Sequence, residues 1–96
     1  MRSLSPYTEI KKNMDELRQK YNVSKMGIFG SFSREEANDN SDIDVLVEFS
    51  KPIDIFEFLS LKEHLEFVLG RRIDLVTEKA LRPQLKENIL REVKYV

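Results

Sequence analysis

The sequence predicts an α/β (α+β) fold in which a small mixed β-sheet carries packed helices in the order α-β-α-β-α-β-α. Three short apolar segments alternate with segments of helical periodicity, and glycine or proline marks several of their boundaries. The chain has 96 residues, which leaves room for one hydrophobic core. We therefore expect residues 1–96 to form a single domain.

The first predicted helix begins at Ser5-Pro6, because serine is a favoured N-cap and proline a favoured first helical residue. Its apolar face is predicted from the spacing of Ile10, Met14, Leu17 and Tyr21. Residues 23–30, "VSKMGIFG", are short, apolar and end in glycine, which predicts a strand. Residues 31–37, "SFSREEA", predict a brief helical turn, and residues 38–41, "NDNS", a loop.

Residues 42–49, "DIDVLVEF", form the strongest predicted strand, and the apolar run after Asp44 indicates cover on both faces. A helix follows from Asp54 to Leu69 and ends at Gly70. Its apolar stripe is broad: Ile55, Phe58, Leu61, Leu65 and Val68, widened by Phe56, Leu59, Phe67 and Leu69. A fully buried core helix is the favoured interpretation, and partial use of the stripe for partner binding is the alternative.

The third strand is predicted at residues 71–78, "RRIDLVTE", and the last helix opens at Pro83. Arg71 and Arg72 are interpreted as surface charges, with a triphosphate or partner contact as the alternative. His64 is interpreted as a solvated or half-buried side chain, because the chain has no second histidine and no cysteine to complete a site.

Composition excludes several classes of protein. The net charge of −1 provides no overall attraction to nucleic acid or membrane, so neither is expected as a partner. The absence of cysteine excludes disulfides and thiolate metal sites. The N-terminus lacks the apolar core of a signal peptide, and no apolar run approaches the length of a membrane span. We expect a cytoplasmic protein.

Three aspartates are the candidate metal ligands. Asp42 and Asp44 are two residues apart on a predicted strand, so both side chains point to one face, about 6.5–7 Å apart along the backbone. Like charges this close repel unless a cation lies between them, and Mg²⁺ favours carboxylate and phosphate oxygens. Asp74, a lone aspartate in the apolar "RRIDLV" segment, is the candidate third ligand.

Simpler interpretations of the first pair remain open. Asp42 could cap the turn after "NDNS", and Asp44 could be an edge-strand charge that discourages aggregation. A calcium loop is rejected, because Val45 stands where such a loop needs glycine and the strand continues.

Gly30-Ser31 is a candidate phosphate-binding turn. Glycine permits close approach of the backbone to a phosphate, and the N–H groups of the following turn can bind its oxygens together with the Ser31 hydroxyl. By itself the pair is more simply read as a tight turn and an N-cap. Combined with Asp42, Asp44 and Asp74, it supplies the groups that phosphoryl or nucleotidyl transfer requires.

The segment "GSFSREEANDNSDIDVLVEF", with Gly30-Ser31 and then Asp42-Ile43-Asp44, resembles the signature of the DNA polymerase β-like nucleotidyltransferase superfamily. Within it, the chain is similar to the minimal nucleotidyltransferases (MNT), over nearly its whole length. The resemblance implies that Gly30 and Ser31 hold the nucleoside triphosphate. It also implies that Asp42, Asp44 and Asp74 bind two Mg²⁺ ions, with Asp74 activating the attacking hydroxyl.

The resemblance further implies ATP as substrate and a HEPN-domain RNase toxin as partner, with this chain as the antitoxin that transfers AMP to a tyrosine of the toxin. Members of the family often have Arg-Gly-Glu-Ala after the Gly-Ser, whereas this chain has Arg34-Glu35-Glu36-Ala37. Arg34 could contact phosphate or partner, and a solvated arginine is the alternative. An inward Glu35 would weaken ATP binding, and an outward one would have little effect.

The expected function is therefore Mg²⁺-dependent transfer of a nucleoside monophosphate, most simply AMP, to a protein hydroxyl. The chain has no second domain for an acceptor, so the acceptor must be another molecule. A binding module that neutralises its toxin by complex formation is the main alternative. Transfer to RNA or to a small molecule is a weaker one, since the chain lacks a basic surface.

Overall fold

The computed structural model describes residues 5–30 and 42–96. The elements are α1 (Pro6–Tyr21), β1 (Val23–Phe29), β2 (Ile43–Phe49), α2 (Ile55–Leu69), β3 (Ile73–Thr77), a 3₁₀ turn (Glu78–Ala80), α3 (Pro83–Glu92) and β4 (Lys94–Tyr95). The predicted mixed α/β fold is confirmed. The helical turn and loop predicted at residues 31–41 lie outside the described residues.

The four described strands form one mixed sheet in the order β3-β2-β1-β4. β1 is antiparallel to both β2 and β4, and β2 is parallel to β3. β4 was not predicted, because two residues carry too little pattern to signal a strand. It reaches β1 at Gly27, where an added Cβ would lie 2.7 Å from a methyl carbon of Val93. Glycine at this position leaves the space that the edge strand occupies.

One face of the sheet forms the core. Side chains alternate along a strand, so Ile43, Val45 and Val47 of β2 all point to the face on which α1 and α2 pack. The buried cluster on this side comprises Ile10, Met14, Leu17, Val23, Met26, Ile28, Ile43, Val45, Val47, Leu61, Leu65, Ile73 and Leu75. Leu46, which points to the opposite face, is also buried. The predicted cover of β2 on both faces is therefore confirmed at Leu46, whereas Asp44 and Glu48 on that second face are half-buried.

The predicted beginning of α1 at Ser5-Pro6 and the predicted end of α2 at Gly70 are confirmed, and α2 begins one residue later than predicted, with Asp54 as its N-cap. Ser5 caps α1 by accepting a hydrogen bond from the Thr8 backbone N–H at 3.3 Å. Asp54 caps α2 by accepting one from the Glu57 N–H at 2.7 Å, in a reciprocal capping box. Gly70 ends α2 with φ 64°, the left-handed conformation that glycine adopts at least cost.

The favoured interpretation of α2 as a fully buried core helix is wrong. Leu61 and Leu65 are buried against the sheet, but four other large apolar side chains are exposed: Ile55 (61%), Phe56 (76%), Leu59 (45%) and Phe67 (87%). A sheet can cover only one side of a helix, and the apolar residues of α2 lie on more than one side. Among the described residues, even so, no helix combines the length and the apolar character needed to cross a membrane.

Candidate active site

Asp44 and Asp74 are paired on neighbouring strands. In the parallel register of β2 and β3, Asp44 lies opposite Asp74, so β3 is directly beside β2. Adjacent strands are about 4.8 Å apart, so the two carboxylates leave the sheet side by side. Both point away from the core, because their neighbours Val45 and Leu75 pack under the helices. Asp44 is half-buried and Asp74 is exposed.

This pairing is unfavourable for the sheet alone, since like charges directly opposite each other destabilise a strand pair. The interpretation of Asp44 as an edge-strand charge is wrong, because β2 lies inside the sheet between β3 and β1. A pair of acidic side chains at an interior position of a sheet is instead suited to binding a cation.

Asp42 lies at the entrance to this site. It immediately precedes β2, and extending the register by one residue places it beside Arg72. The Ile43 N–H donates to the Arg72 carbonyl at 3.0 Å, which holds the beginnings of β2 and β3 together. Arg72 Nε lies 3.4 Å from Asp42 Oδ1, with the side chains 84% and 51% exposed. Arg72 is thus on the surface, as predicted, but its contact is with a candidate metal ligand. Arg72 lies two residues before Asp74, as Asp42 lies two residues before Asp44. This equal spacing is the sequence signal that could have indicated the contact.

Gly30 adjoins the same carboxylate from the other side. It follows Phe29, which is paired with Asp44 across β1 and β2, and its φ is +73°. A Cβ at Gly30 would collide with Asp44 Oδ2, so the carboxylate would have to move to admit a side chain there. Glycine is required here both for its backbone conformation and for the space beside Asp44. The predicted phosphate-binding turn thus begins within contact distance of a predicted metal ligand.

The remaining predicted phosphate ligands, Ser31 and Arg34, lie outside the described residues, as does Glu35. Their roles remain predictions.

The carboxylates fit Mg²⁺ by their chemistry. All are hard oxygen donors, and two of them are adjacent in register. Within residues 5–30 and 42–96, no group of three or more acidic, histidine or cysteine side chains converges into a metal site by itself. Mg²⁺ is usually held by one or two carboxylates together with substrate phosphates and water. The geometry therefore suits an ion that binds together with a nucleotide.

Comparisons with known proteins agree with this chemistry. The family model for the nucleotidyltransferase domain matches residues 10–96. The protein adenylyltransferase MntA of Thermococcus cleftensis is 43% identical over 81 residues, which cover 84% of this chain and 82% of that protein.

Solved structures with the same fold include one described as a minimal nucleotidyltransferase, with a TM-score of 0.77, 32% identity and 98% of both chains covered. A toxin–antitoxin crystal structure with AMP-PNP has a TM-score of 0.75 and 26% identity, over 96% of this chain and 72% of that one. A Shewanella oneidensis complex of a tri-AMPylated HEPN toxin with an MNT antitoxin has a TM-score of 0.67, over 95% and 71% of the two chains. Its 22% identity shows likeness of fold alone.

Proposed function

The chain belongs to the nucleotidyltransferase domain family, and we propose that it transfers AMP from ATP to a tyrosine hydroxyl of a HEPN-type toxin, for which it is the antitoxin. The prediction of a nucleotidyltransferase is confirmed by this membership. The observation that carries the finer proposal is the in-register pair Asp44 and Asp74, with the glycine turn adjoining it.

The choice of AMP and of a protein acceptor is supported by similarity. The Thermococcus cleftensis relative is named a protein adenylyltransferase, and a structural neighbour is a toxin–antitoxin with AMP-PNP.

The residues divide the chemistry between them. Asp42, Asp44 and Asp74 would hold Mg²⁺, which supplies positive charge to a triphosphate and to the departing pyrophosphate. Because Gly30 has no side chain, its backbone lies against the Asp44 carboxylate, so phosphate oxygens bound at this turn would be close to Asp44. Asp74, the more exposed of the paired carboxylates, accepts the proton of the tyrosine hydroxyl. The phenolic oxygen then forms a bond to the α-phosphorus as the bond from that phosphorus to pyrophosphate breaks.

The test is transfer to a purified HEPN-domain protein from the same organism, which is the partner that the proposal requires. The two proteins are incubated with α-labelled ATP and Mg²⁺, and the intact mass of the HEPN protein is measured. We expect a gain of one or more AMP units that requires Mg²⁺ and is abolished by the double substitution Asp42→Asn and Asp44→Asn. Asp15→Asn is the matched control, because the Asp15 side chain is 93% exposed on α1.

The same experiment distinguishes the main alternative. A stable complex with no mass gain for any of the four nucleoside triphosphates would contradict the proposal and indicate neutralisation by binding alone. If neutralisation of the toxin in cells survives the double substitution, the same conclusion holds.

A further inference from the structure

The outward side of α2 carries an apolar surface that the fold does not use. We define the outer α2 face as Phe56, Leu59, Ser60, Glu63 and Phe67, which are all exposed. These positions follow the spacing of one stripe along a helix. The aromatic rings lie at the two ends, 76% and 87% exposed, with the two polar residues between them.

The area of this surface is sufficient for a weak dimer. A whole aromatic side chain offers about 200 Å², so Phe56, Leu59 and Phe67 of the outer α2 face together expose about 400 Å². That is as large as the main apolar patch of a typical monomer, which is about 300–600 Å² and often functional. Two such faces together offer about 800 Å², which is in the range of weak, transient interfaces.

The position of α2 separates this surface from the carboxylates. α2 packs on the side of the sheet that holds Val45 and Leu75, whereas Asp44 and Asp74 point to the other side. A molecule on the outer α2 face is therefore separated from the candidate active site by the thickness of α2 and of the sheet itself. An acceptor hydroxyl bound there would not reach the carboxylates, so the surface is better suited to a different occupant.

The arrangement of side chains is self-complementary. Two α2 helices can pack antiparallel about a two-fold axis that crosses between them at the level of Leu61 and Lys62. In this arrangement residue 56 of one copy faces residue 67 of the other, and residue 60 faces residue 63. Phe56 then meets Phe67, and the Ser60 hydroxyl meets the Glu63 carboxylate, to which it can donate a hydrogen bond. A two-fold interface uses the same patch on both subunits, as this pattern requires.

We propose that the outer α2 face binds the same face of a second copy of this chain, forming an antiparallel two-fold dimer. Both carboxylate faces of the dimer point outward, so each copy can receive an acceptor independently. The inference is independent of the proposed transfer reaction, because it concerns the opposite side of the sheet.

The first test is the oligomeric state of the full chain by sedimentation equilibrium over a concentration series. We expect a reversible monomer–dimer equilibrium that Phe67→Ser weakens by at least about 10-fold. Leu85→Ser is the matched control, because Leu85 is 51% exposed on α3 and is expected to leave dimerisation unchanged. A wild-type chain that stays monomeric up to millimolar concentration would overturn the proposal. Loss of HEPN binding by Phe67→Ser in such a monomer would assign the surface to that protein instead.

The second test addresses the register without changing the apolar surface. Ser60→Glu should weaken the dimer because it places two carboxylates opposite each other, and Ser60→Lys should strengthen it by facing Glu63. Combining Ser60→Glu with Glu63→Lys should restore dimerisation. A dimer that Phe67→Ser disrupts but that none of these exchanges alters would contradict the proposed axis. Urea unfolding of each variant confirms that the monomer is folded.

Discussion

Asp44 and Val45 are neighbours on β2, yet they belong to opposite sides of the molecule. Val45 faces α1 and α2 and is completely buried, whereas Asp44 points to the other side of the sheet beside Asp74. Because side chains alternate along a strand, one segment supplies both an apolar core position and a charged site position. The two faces differ in what they contribute: the helix-covered face stabilises the fold, and the carboxylate face carries the candidate chemistry.

The largest stability effect is expected on the helix-covered face. Leu65→Ala removes a buried side chain of α2 and should lower the free energy of unfolding by about 3 kcal/mol. Leu85→Ala, the same change at an exposed position of α3, should cost about 0.5 kcal/mol or less. Urea unfolding measures both. We also expect the folded fraction of Leu65→Ala to transfer AMP at the normal rate. A large loss of rate would show that the two faces are coupled.

Gly30→Ala tests the carboxylate face through its backbone. The added Cβ would collide with Asp44 Oδ2 at a φ of +73°, so the carboxylate must move. We expect a transfer rate lower by about 100-fold, the loss typical of a catalytic group displaced by about 1 Å.

Gly70→Ala is the control for this change. Gly70 has φ +64° with no atom within 4 Å of the added Cβ, so it bears only the backbone cost of about 1 kcal/mol. Equal losses of transfer rate in Gly30→Ala and Gly70→Ala would contradict the importance assigned to the close approach of Gly30 to Asp44.

Arg72→Gln should have a smaller effect. The ion pair with Asp42 is largely exposed, so its loss should change the free energy of unfolding by no more than about 0.5 kcal/mol. Removing a positive charge from the candidate metal site should lower the Mg²⁺ concentration for half-maximal transfer by about twofold to threefold. Arg91→Gln, at another exposed ion pair on α3, serves as control. An increased Mg²⁺ requirement would indicate that Arg72 assists binding at the site.

The smallest expected effect concerns pH and lies on the helix-covered side. A hydrogen bond from Lys20, with the charges of Lys20 and His64, lowers the pKa of Glu16. A carboxyl with a lowered pKa in the folded state stabilises the fold above its ordinary pKa, and this contribution is lost as pH falls through the lowered value.

The free energy of unfolding of the wild type should therefore exceed that of Glu16→Gln at neutral pH, and this difference should vanish under acid conditions. Urea unfolding over a pH series measures this difference. A difference that grows as pH falls would contradict the sign.

Much of the fold follows from local patterns. The caps at Ser5, Asp54 and Gly70 depend on residues adjacent in sequence, and the alternation in β2 separates core from site without tertiary information. These features are predictable because their causes lie within one or two turns of chain.

Other features depend on which elements meet. The pairing of Asp44 with Asp74 and of Asp42 with Arg72 is set by the parallel register of two strands separated by a helix, which no local pattern specifies. β4 exists because β1 offers a free edge at Gly27. The exposure of Phe56 and Phe67 likewise depends on how much of α2 the sheet can cover.

The most direct test of the division between the two faces is a paired measurement on adjacent residues, Asp44→Asn and Val45→Ala. Thermal unfolding and the rate of AMP transfer to the HEPN protein are measured for both. We expect Asp44→Asn to reduce transfer by more than about 10³-fold, with a fall in Tm much smaller than that of Val45→Ala, because the exchange keeps the side-chain volume and leaves the apolar core intact. Val45→Ala should lower the Tm while its folded fraction transfers normally. Wild-type transfer by Asp44→Asn, or a fall in its Tm as large as that of Val45→Ala, would contradict the account.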